Sequence, residues 1–277
     1  MLHIDFSNRM KELLGDEYEK FEASYSENPV RSFRVNANKI SKENFDKINP
    51  SGGEKIPYAE NGFYFSCDGI GNHPYHHAGM IYIQEPSAMA AVASIDIRSD
   101  WNILDLCASP GGKSTQAAAQ NPNGILISNE IIPSRCKTLT GNIERMGFQN
   151  VITTCADAKR IASLYGEAFD LVIVDAPCSG EGMFRKDENA RKEWSAENVL
   201  HCAERQREIL DEIKTTVKPG GLLLYSTCTF SLEENEKNVD WFLGKNDNFE
   251  LIEVKDSVKK FTADGVMFDG CKEKNIL

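Results

Sequence analysis

Residues 101–120, Trp101-Asn-Ile-Leu-Asp-Leu-Cys107-Ala-Ser-Pro-Gly-Gly-Lys113-Ser-Thr-Gln-Ala-Ala-Ala-Gln120, pass from one structural period to another within a single turn. The apolar run up to Cys107 suits a strand, and the alanine-rich run after Gly111 suits a helix. A strand that enters a helix through Gly111-Gly112 is the opening unit of an alternating β/α chain. The alternation continues downstream. GILISNE (124–130) reads as a strand, PSRCKTLTGNIERMG (133–147) as a helix, NVITTC (150–155) as a strand, and FDLVIVDA (169–176) as a wholly apolar strand. A helix follows over 195–217, then the strand GGLLLYSTC (220–228). SLEENEKNVDWFL (231–243) is predicted as a helix opened by a Ser231-x-x-Glu234 capping box, and NFELIEV (248–254) as a last strand.

Strands this uniformly apolar are buried on both faces, which requires a parallel sheet covered by helices. The expected architecture is a doubly wound, mostly parallel Rossmann-like α/β sheet. Residues 1–85 differ: a helical opening is followed by short elements and loop-like runs such as NPSGGEK and CDGIGNHP. They are read as a small α+β N-terminal domain, with residues 86–277 as the main one.

In doubly wound sheets the ligand lies at the carboxyl ends of the strands. Cys107, Glu130, Asp175 and Cys228 all fall at such ends. The turn Cys107-Ala108-Ser109-Pro110-Gly111-Gly112-Lys113 allows close backbone approach and offers free N–H donors at a helix start. A phosphate-binding loop of the GxxxxGK[ST] type requires glycine at 107, where Cys107 stands. A nucleoside suits the turn better, because Glu130 after the second strand can accept both ribose hydroxyls and would repel a triphosphate. Asp157 and Asp175 are candidates to complete that pocket.

The chain has 277 residues, 41% hydrophobic and 26% charged, the balance of an ordinary globular enzyme. No apolar run reaches the roughly eighteen residues of a membrane span, and the N-terminus lacks a signal-peptide layout, so a cytoplasmic location without membrane contact is expected. A net charge of −11 argues against loose binding of nucleic acid. Two basic clusters remain, one of Arg31, Arg34, Lys39 and Lys42, the other of Arg185, Lys186, Arg191 and Lys192; charge alone favours a solvated surface for both. The eight cysteines include no CxxC pair, so neither a disulfide framework nor a thiolate zinc site is indicated. Such cysteines are ordinarily small buried hydrophobes.

Two of them stand in distinctive settings, Asp175-Ala-Pro-Cys178-Ser-Gly-Glu-Gly and Tyr225-Ser-Thr-Cys228-Thr, each after an apolar strand. With Asp105-Leu-Cys-Ala-Ser-Pro-Gly-Gly-Lys113-Ser, and with Arg34-Val-Asn-Ala-Asn-Lys39 and Gly79-Met-Ile-Tyr-Ile-Gln-Glu-Pro-Ser-Ala-Met89 upstream, they closely resemble the RNA 5-methylcytosine methyltransferases of the NOL1/NOP2/Sun family. The bacterial ribosomal-RNA branch is nearest, and the resemblance covers roughly residues 30–245.

The resemblance implies S-adenosylmethionine as cofactor, held by Cys107 to Lys113 with Glu130, Asp157 and Asp175, and assisted by Arg135. It implies that Cys228 attacks C6 of a cytosine and that Cys178 assists release. The chemistry explains the thiolate. Carbon 5 of cytosine is too weak a nucleophile to take a methyl group unaided, and a thiolate added at C6 makes it enamine-like. Asp175, if protonated, would support electron uptake at N3. The base must be flipped or unpaired to be reached. Ribosomal RNA is the expected partner, with transfer RNA the alternative; a monomer is expected, and no metal.

The family ordinarily ends its sheet with an antiparallel hairpin and often adds an RNA-binding C-terminal domain. This chain stops at Leu277 before either, so the final hairpin is expected to be missing and a sheet edge left open. Other readings carry distinct signatures. A non-catalytic ribosome assembly factor would not need both cysteines. A small-molecule or protein methyltransferase would need no thiolate pair, and a P-loop ATPase would need the absent glycine. His73, His76 and His77 lack a further ligand for a metal site. Trp194 and Trp241 fit core or half-buried helical positions, and Tyr75 and Tyr82 are left open as residues close to RNA.

Overall fold

The computed structural model describes residues 2–48, 53–66 and 68–271. Cys67, the side chain of Lys42 and residues 272–277 lie outside the described set.

The N-terminal region contains α1 (Ile4–Leu14), α2 (Tyr18–Ser24), β1 (Ser32–Val35), α3 (Lys42–Ile48), β2 (Gly62–Tyr64), α4 (Pro74–His77) and β3 (Ile81–Ile83). The strands form an antiparallel sheet in the order β2-β1-β3. Alternation along β1 explains its full burial. Phe33 and Val35 enter an aromatic core with Phe45, Phe63, Phe65 and Ile81, while Ser32 and Arg34 are buried on the opposite side. Helix α1 packs elsewhere: Phe6 and Met10 join Phe184, Trp194 and Val199.

Helix α5 (Pro86–Ala93) leads into the main sheet: β4 (Asn102–Asp105), α6 (Gly112–Gln120), β5 (Ile125–Asn129), α7 (Pro133–Met146), β6 (Val151–Thr154), α8 (Ala158–Leu164), β7 (Phe169–Asp175), α9 (Glu188–Glu193), α10 (Ala196–Ile213), β8 (Val217–Ser226), α11 (Glu236–Lys245) and α12 (Asp256–Lys259). The strand order is β6-β5-β4-β7-β8, and every pairing is parallel. This is the doubly wound α/β sheet expected, with the small α+β region beside it. The reversal of direction between β4 and β5 on one side and β7 on the other creates the crevice where ligands bind in such folds.

Both faces of the sheet are covered, which is why the strands carry no polar alternation. On β7, Leu171 and Ile173 face a core with Val92, Ala117 and Met146. Val172 and Val174 face a second core with Ile161 and Ile213. Each fully buried side chain of this size contributes about 1.5–3 kcal/mol relative to exposure.

Three expectations need correction. The helix expected over 195–217 ends at Ile213; a 3-10 turn over Lys214–Thr216 hands the chain to β8, and Ser195 caps the start by accepting from the Asn198 amide at 3.0 Å. The helix expected from Ser231 begins only at Glu236, and no capping box forms. Glu234 instead turns inward, fully buried, and the Ser231 hydroxyl donates to Glu233 at 3.0 Å. The strand expected over 248–254 does not form. Phe249 packs on Phe242 with ring centroids 5.1 Å apart, and the segment stands off β8 across a groove of about 1000 Å³. Without a ladder partner an alternating run has no reason to be a strand, and Leu251, Ile252 and Val254 stay exposed. Among the described residues β8 pairs only with β7.

Candidate active site

The turn after β4 is built by backbone bonds to its neighbours. The Leu106 amide donates to Ile173 at 2.9 Å and the Ala108 amide to Asn129 at 2.8 Å, which stitches the turn across β7 and β5. The Ser109–Pro110 peptide is cis, and Gly111 has φ +107°, a conformation that strains any residue with a Cβ. A Cβ there would also lie 3.1 Å from Leu139 Cδ1. Arg135 closes the other side. Its guanidinium donates to the Ser109 carbonyl at 3.1 Å and its own carbonyl accepts from the Ser109 hydroxyl at 3.0 Å.

Two carboxylates, Glu130 and Asp157, were expected around this turn together with Asp175. Glu130, 2% exposed, accepts from the Ile132 amide at 3.0 Å through Oε1, and its Oε2 lies 3.5 Å from Arg135. Asp157 is exposed and caps α8, accepting from the Arg160 amide at 2.7 Å. The acid not singled out is Asp105, wholly buried at the end of β4. Its Oδ2 accepts from Ser114 at 2.6 Å, and its Oδ1 is buried without a partner among the described residues. Burial pushes the Asp105 carboxyl up to about 7. Burial also pushes the Cys107 thiol up to about 12, so this cysteine remains protonated. A buried orphan carboxylate oxygen and a second buried carboxylate fit a ligand that brings cationic and hydroxyl donors; they do not fit a triphosphate.

Asp105 therefore makes stability depend on pH. Between the ordinary carboxyl value and about 7, the folded chain holds a proton that the unfolded chain has lost. Stability must then fall as pH rises through that window, by at most roughly 1.4 kcal/mol per pH unit. Asp105→Asn is expected to flatten the dependence and to be relatively more stable at pH 8. Urea unfolding of both proteins at pH 5, 6, 7 and 8 checks it; parallel curves would refute the assignment.

Beyond β7 and β8 the two cysteines meet. Cys178 and Cys228 have their Sγ atoms 3.1 Å apart, and the Cys228 amide points to Cys178 Sγ at 3.3 Å. Both are free thiols, Cys228 exposed and Cys178 partly covered. The contact between the two sulfurs holds Cys228 below the ordinary thiol range and pushes Cys178 above it. For Cys228, burial and Asp175 oppose the shift while Lys113 supports it. The pair is thus polarised, with Cys228 the more acidic thiol of the two. Asp175 sits between this pair and the turn. Its Oδ2 is 2.7 Å from Lys113 Nζ, and its Oδ1 accepts from Ser226 at 2.9 Å. Both oxygens act as acceptors, which does not match the protonated acid expected at N3.

Two buried glutamates that sequence reasoning missed hold the cysteine loops in place. Glu181, wholly buried, accepts from Trp194 Nε1 at 2.9 Å, Thr229 Oγ1 at 2.8 Å and the Phe230 amide at 2.9 Å, and lies 3.4 Å from Arg9. Glu234 accepts from the Ser179 amide at 3.0 Å, from the Ser179 hydroxyl and from Gln206 at 2.8 Å. Burial raises its pKa. Gly182 completes the clamp: its amide donates to the Cys228 carbonyl at 2.8 Å, and an added Cβ would meet that oxygen at 2.8 Å. The signal was present in Pro-Cys178-Ser-Gly-Glu181-Gly, but the partners are distant in sequence.

The basic clusters are largely engaged within the chain. Arg34 is buried, Lys39 donates to the carbonyls of Ala78 and Arg145, and Arg31 pairs with Asp68. Arg185 donates to Glu27 and Asn28, Lys186 pairs with Glu85, and Arg191 donates to the Phe184 carbonyl. His73 caps α4, accepting from the Tyr75 amide at 3.2 Å. Trp194 is core, and Trp241 is partly covered beneath Arg207 and Lys245. Tyr82 is buried under the glycine turn that follows β4 and donates to the Pro110 carbonyl at 3.1 Å.

Comparison with known proteins shows the family. A family described as 16S rRNA methyltransferase RsmB/F matches residues 92–268, and the N-terminal domain of 16S rRNA methyltransferase RsmF matches residues 2–86. The ribosomal RNA small subunit methyltransferase F of Vibrio vulnificus (strain YJ016) is 42% identical over 225 residues, covering 77% of this chain and 48% of that protein. The protein of the same name from Klebsiella pneumoniae (strain 342) is 42% identical over 226 residues, 78% of this chain and 47% of its own length. The chain spans about half the length of these curated relatives. A solved methyltransferase homolog from Pyrococcus horikoshii superposes with a TM-score of 0.77 at 28% identity, covering 92% of this chain and 87% of that one.

Proposed function

On the premise that this chain belongs to the 16S rRNA methyltransferase RsmB/F family, we propose that it transfers a methyl group from S-adenosylmethionine to C5 of a cytosine in small-subunit ribosomal RNA, through a covalent bond between Cys228 and C6. The observation that carries this reading is the polarised thiol pair, 3.1 Å apart at the ends of adjacent parallel strands and beside an acid-lined glycine turn.

S-Adenosylmethionine suits that turn because its ammonium, sulfonium and ribose hydroxyls match carboxylates and not cations. Glu130 would hold the ribose, Asp105 the cationic portion, and the Cys107–Lys113 backbone the close approach, with Asp157 and Arg135 at its margin. When bound, the cofactor supplies an electrophilic methyl group for C5.

The remaining chemistry belongs to the chain. The Cys228 thiolate adds to C6, and the displaced π electrons move towards N3, where a proton is taken up. Carbon 5 thereby becomes nucleophilic. After methylation the C5 proton must leave. Cys178, which gives up its own proton to water once Cys228 is bonded to C6, accepts it as a thiolate; the C5–H electron pair restores the C5–C6 double bond, the C6–Sγ bond breaks to return the Cys228 thiolate, and the proton held at N3 returns to water. Asp175, an acceptor in its ion pair with Lys113, fits the exocyclic N4 amino group of cytosine, which uracil lacks. A base reached from its face must be unpaired or flipped out, so the substrate is a single-stranded or opened segment.

The test is incubation with methyl-labelled S-adenosylmethionine and unmodified small-subunit RNA, followed by digestion to nucleosides. Label is expected in 5-methylcytidine. Label in another nucleoside, or none with any small-subunit RNA or particle, would overturn the reading.

A further inference from the structure

Strand β1 sends a cation into the methyltransferase core. Arg34 is 5% exposed, and its hydrogen-bond acceptors are all neutral. Nε donates to Gln84 Oε1 at 2.6 Å; one terminal nitrogen donates to the Gly112 carbonyl at 2.8 Å and to Thr115 Oγ1 at 2.6 Å. The guanidinium also lies 5.5 Å from the ring centroid of Tyr82.

Burying a charge against neutral partners is costly, so folding alone is a poor reason to keep it. Geometry is a better one. A planar guanidinium reaches several acceptors at fixed angles, which an ammonium does not. Its acceptors are the side chain just beyond β3 and the first turn of α6. A second contact from the same small sheet converges on the same place: the Tyr82 hydroxyl donates to the Pro110 carbonyl at 3.1 Å. The Gln84 side chain walls the turn as well, since a Cβ on Gly112 would lie 3.2 Å from its Nε2. Burial lowers the Arg34 pKa to about 10, which still leaves it charged at neutral pH.

We propose that Arg34 is a positioning residue for the cofactor turn: from the N-terminal sheet it fixes residues 110–115 in the conformation that receives the nucleoside cofactor. Affinity for that cofactor is then set jointly by the two sheets. The inference rests on the cofactor reading above. Removing the fork takes away the bonds to Gly112 and Thr115 and leaves Tyr82 as the remaining hydrogen bond described from the small sheet, so the turn loosens and must be ordered again at each binding event.

The experiment compares the full chain with Arg34→Gln and Arg34→Lys. S-Adenosylhomocysteine binding is measured by calorimetry, and hydrogen exchange is followed at the amides of residues 111–115. Arg34→Gln is expected to bind about tenfold more weakly, equivalent to about 1.4 kcal/mol, and to exchange faster at those amides. KM for the cofactor rises while kcat moves less than about twofold, and Arg34→Lys recovers only part of the loss because it keeps the charge and not the fork. Alkylation of Cys228 is expected to proceed as in the parent, which separates a loosened turn from general loss of structure. If Arg34→Gln does not fold, Thr115→Val, which removes one acceptor, should show the same faster exchange and weaker binding. A folded Arg34→Gln, or failing that Thr115→Val, with parent-like affinity and exchange overturns the proposal. If the parent protein itself binds no S-adenosylhomocysteine, the cofactor reading fails, whereas the exchange comparison still decides whether Arg34 fixes the turn.

Discussion

Cys228→Ala is expected to leave a folded protein that neither methylates RNA nor bonds to it. Cys228 is exposed, so the substitution opens no cavity in either core. The backbone bond from the Gly182 amide to the residue 228 carbonyl, and the Glu181 contacts with Thr229 and Phe230, do not involve the removed sulfur. What disappears is the thiolate, and with it the only route by which C5 becomes nucleophilic in this mechanism. Loss of the nucleophile from a covalent enzyme costs on the order of 10⁴-fold or more in rate. RNA carrying 5-fluorocytidine blocks the final proton loss, so the parent enzyme should give a complex stable in denaturing gels and Cys228→Ala should give none. Methylation near the parent rate by Cys228→Ala would remove Cys228 as nucleophile.

What could be read in advance divides along a physical line. The β4–turn–α6 unit, the buried strands and the two cysteines are legible because local period and strand-end position carry them. Glu181, Glu234 and Arg34 are not, because their meaning lies in partners far along the chain. Glu181 brings together Arg9, Trp194 and Thr229. Glu234 illustrates how a local rule loses to a tertiary one. Ser231-x-x-Glu234 has capping-box spacing, yet the Ser179 amide and Gln206 offer buried donors that the helix start cannot match. Arg34 misleads in the opposite sense. A cluster of basic residues suggests a solvated surface, but strand alternation turns this one inward, opposite Phe33 and Val35. The run 248–254 shows a strand pattern without a strand, because the pattern supplies a face but no ladder partner.

Cys178→Ala should fail at the other end of the reaction. Attack at C6 needs only the Cys228 thiolate, which survives the change, so the covalent adduct still forms with ordinary cytidine RNA. Its resolution needs a group to take the C5 proton, and the sulfur placed to do so, 3.1 Å from Cys228, is gone. The adduct is therefore expected to accumulate towards one RNA per protein on a denaturing gel, while multiple-turnover methylation falls by on the order of 10²–10⁴-fold, the usual contribution of a positioned acid or base. A second effect distinguishes this role from mere damage to the site. The contact with Cys178 is what holds the Cys228 thiol low, so removing it is expected to raise the Cys228 pKa. The pH profile of Cys228 alkylation should shift upward in Cys178→Ala, and adduct formation should become faster as the medium is made more alkaline. If the variant accumulates no adduct at any pH and its alkylation profile coincides with that of the parent, Cys178 has neither role, and the proton must leave C5 by another group.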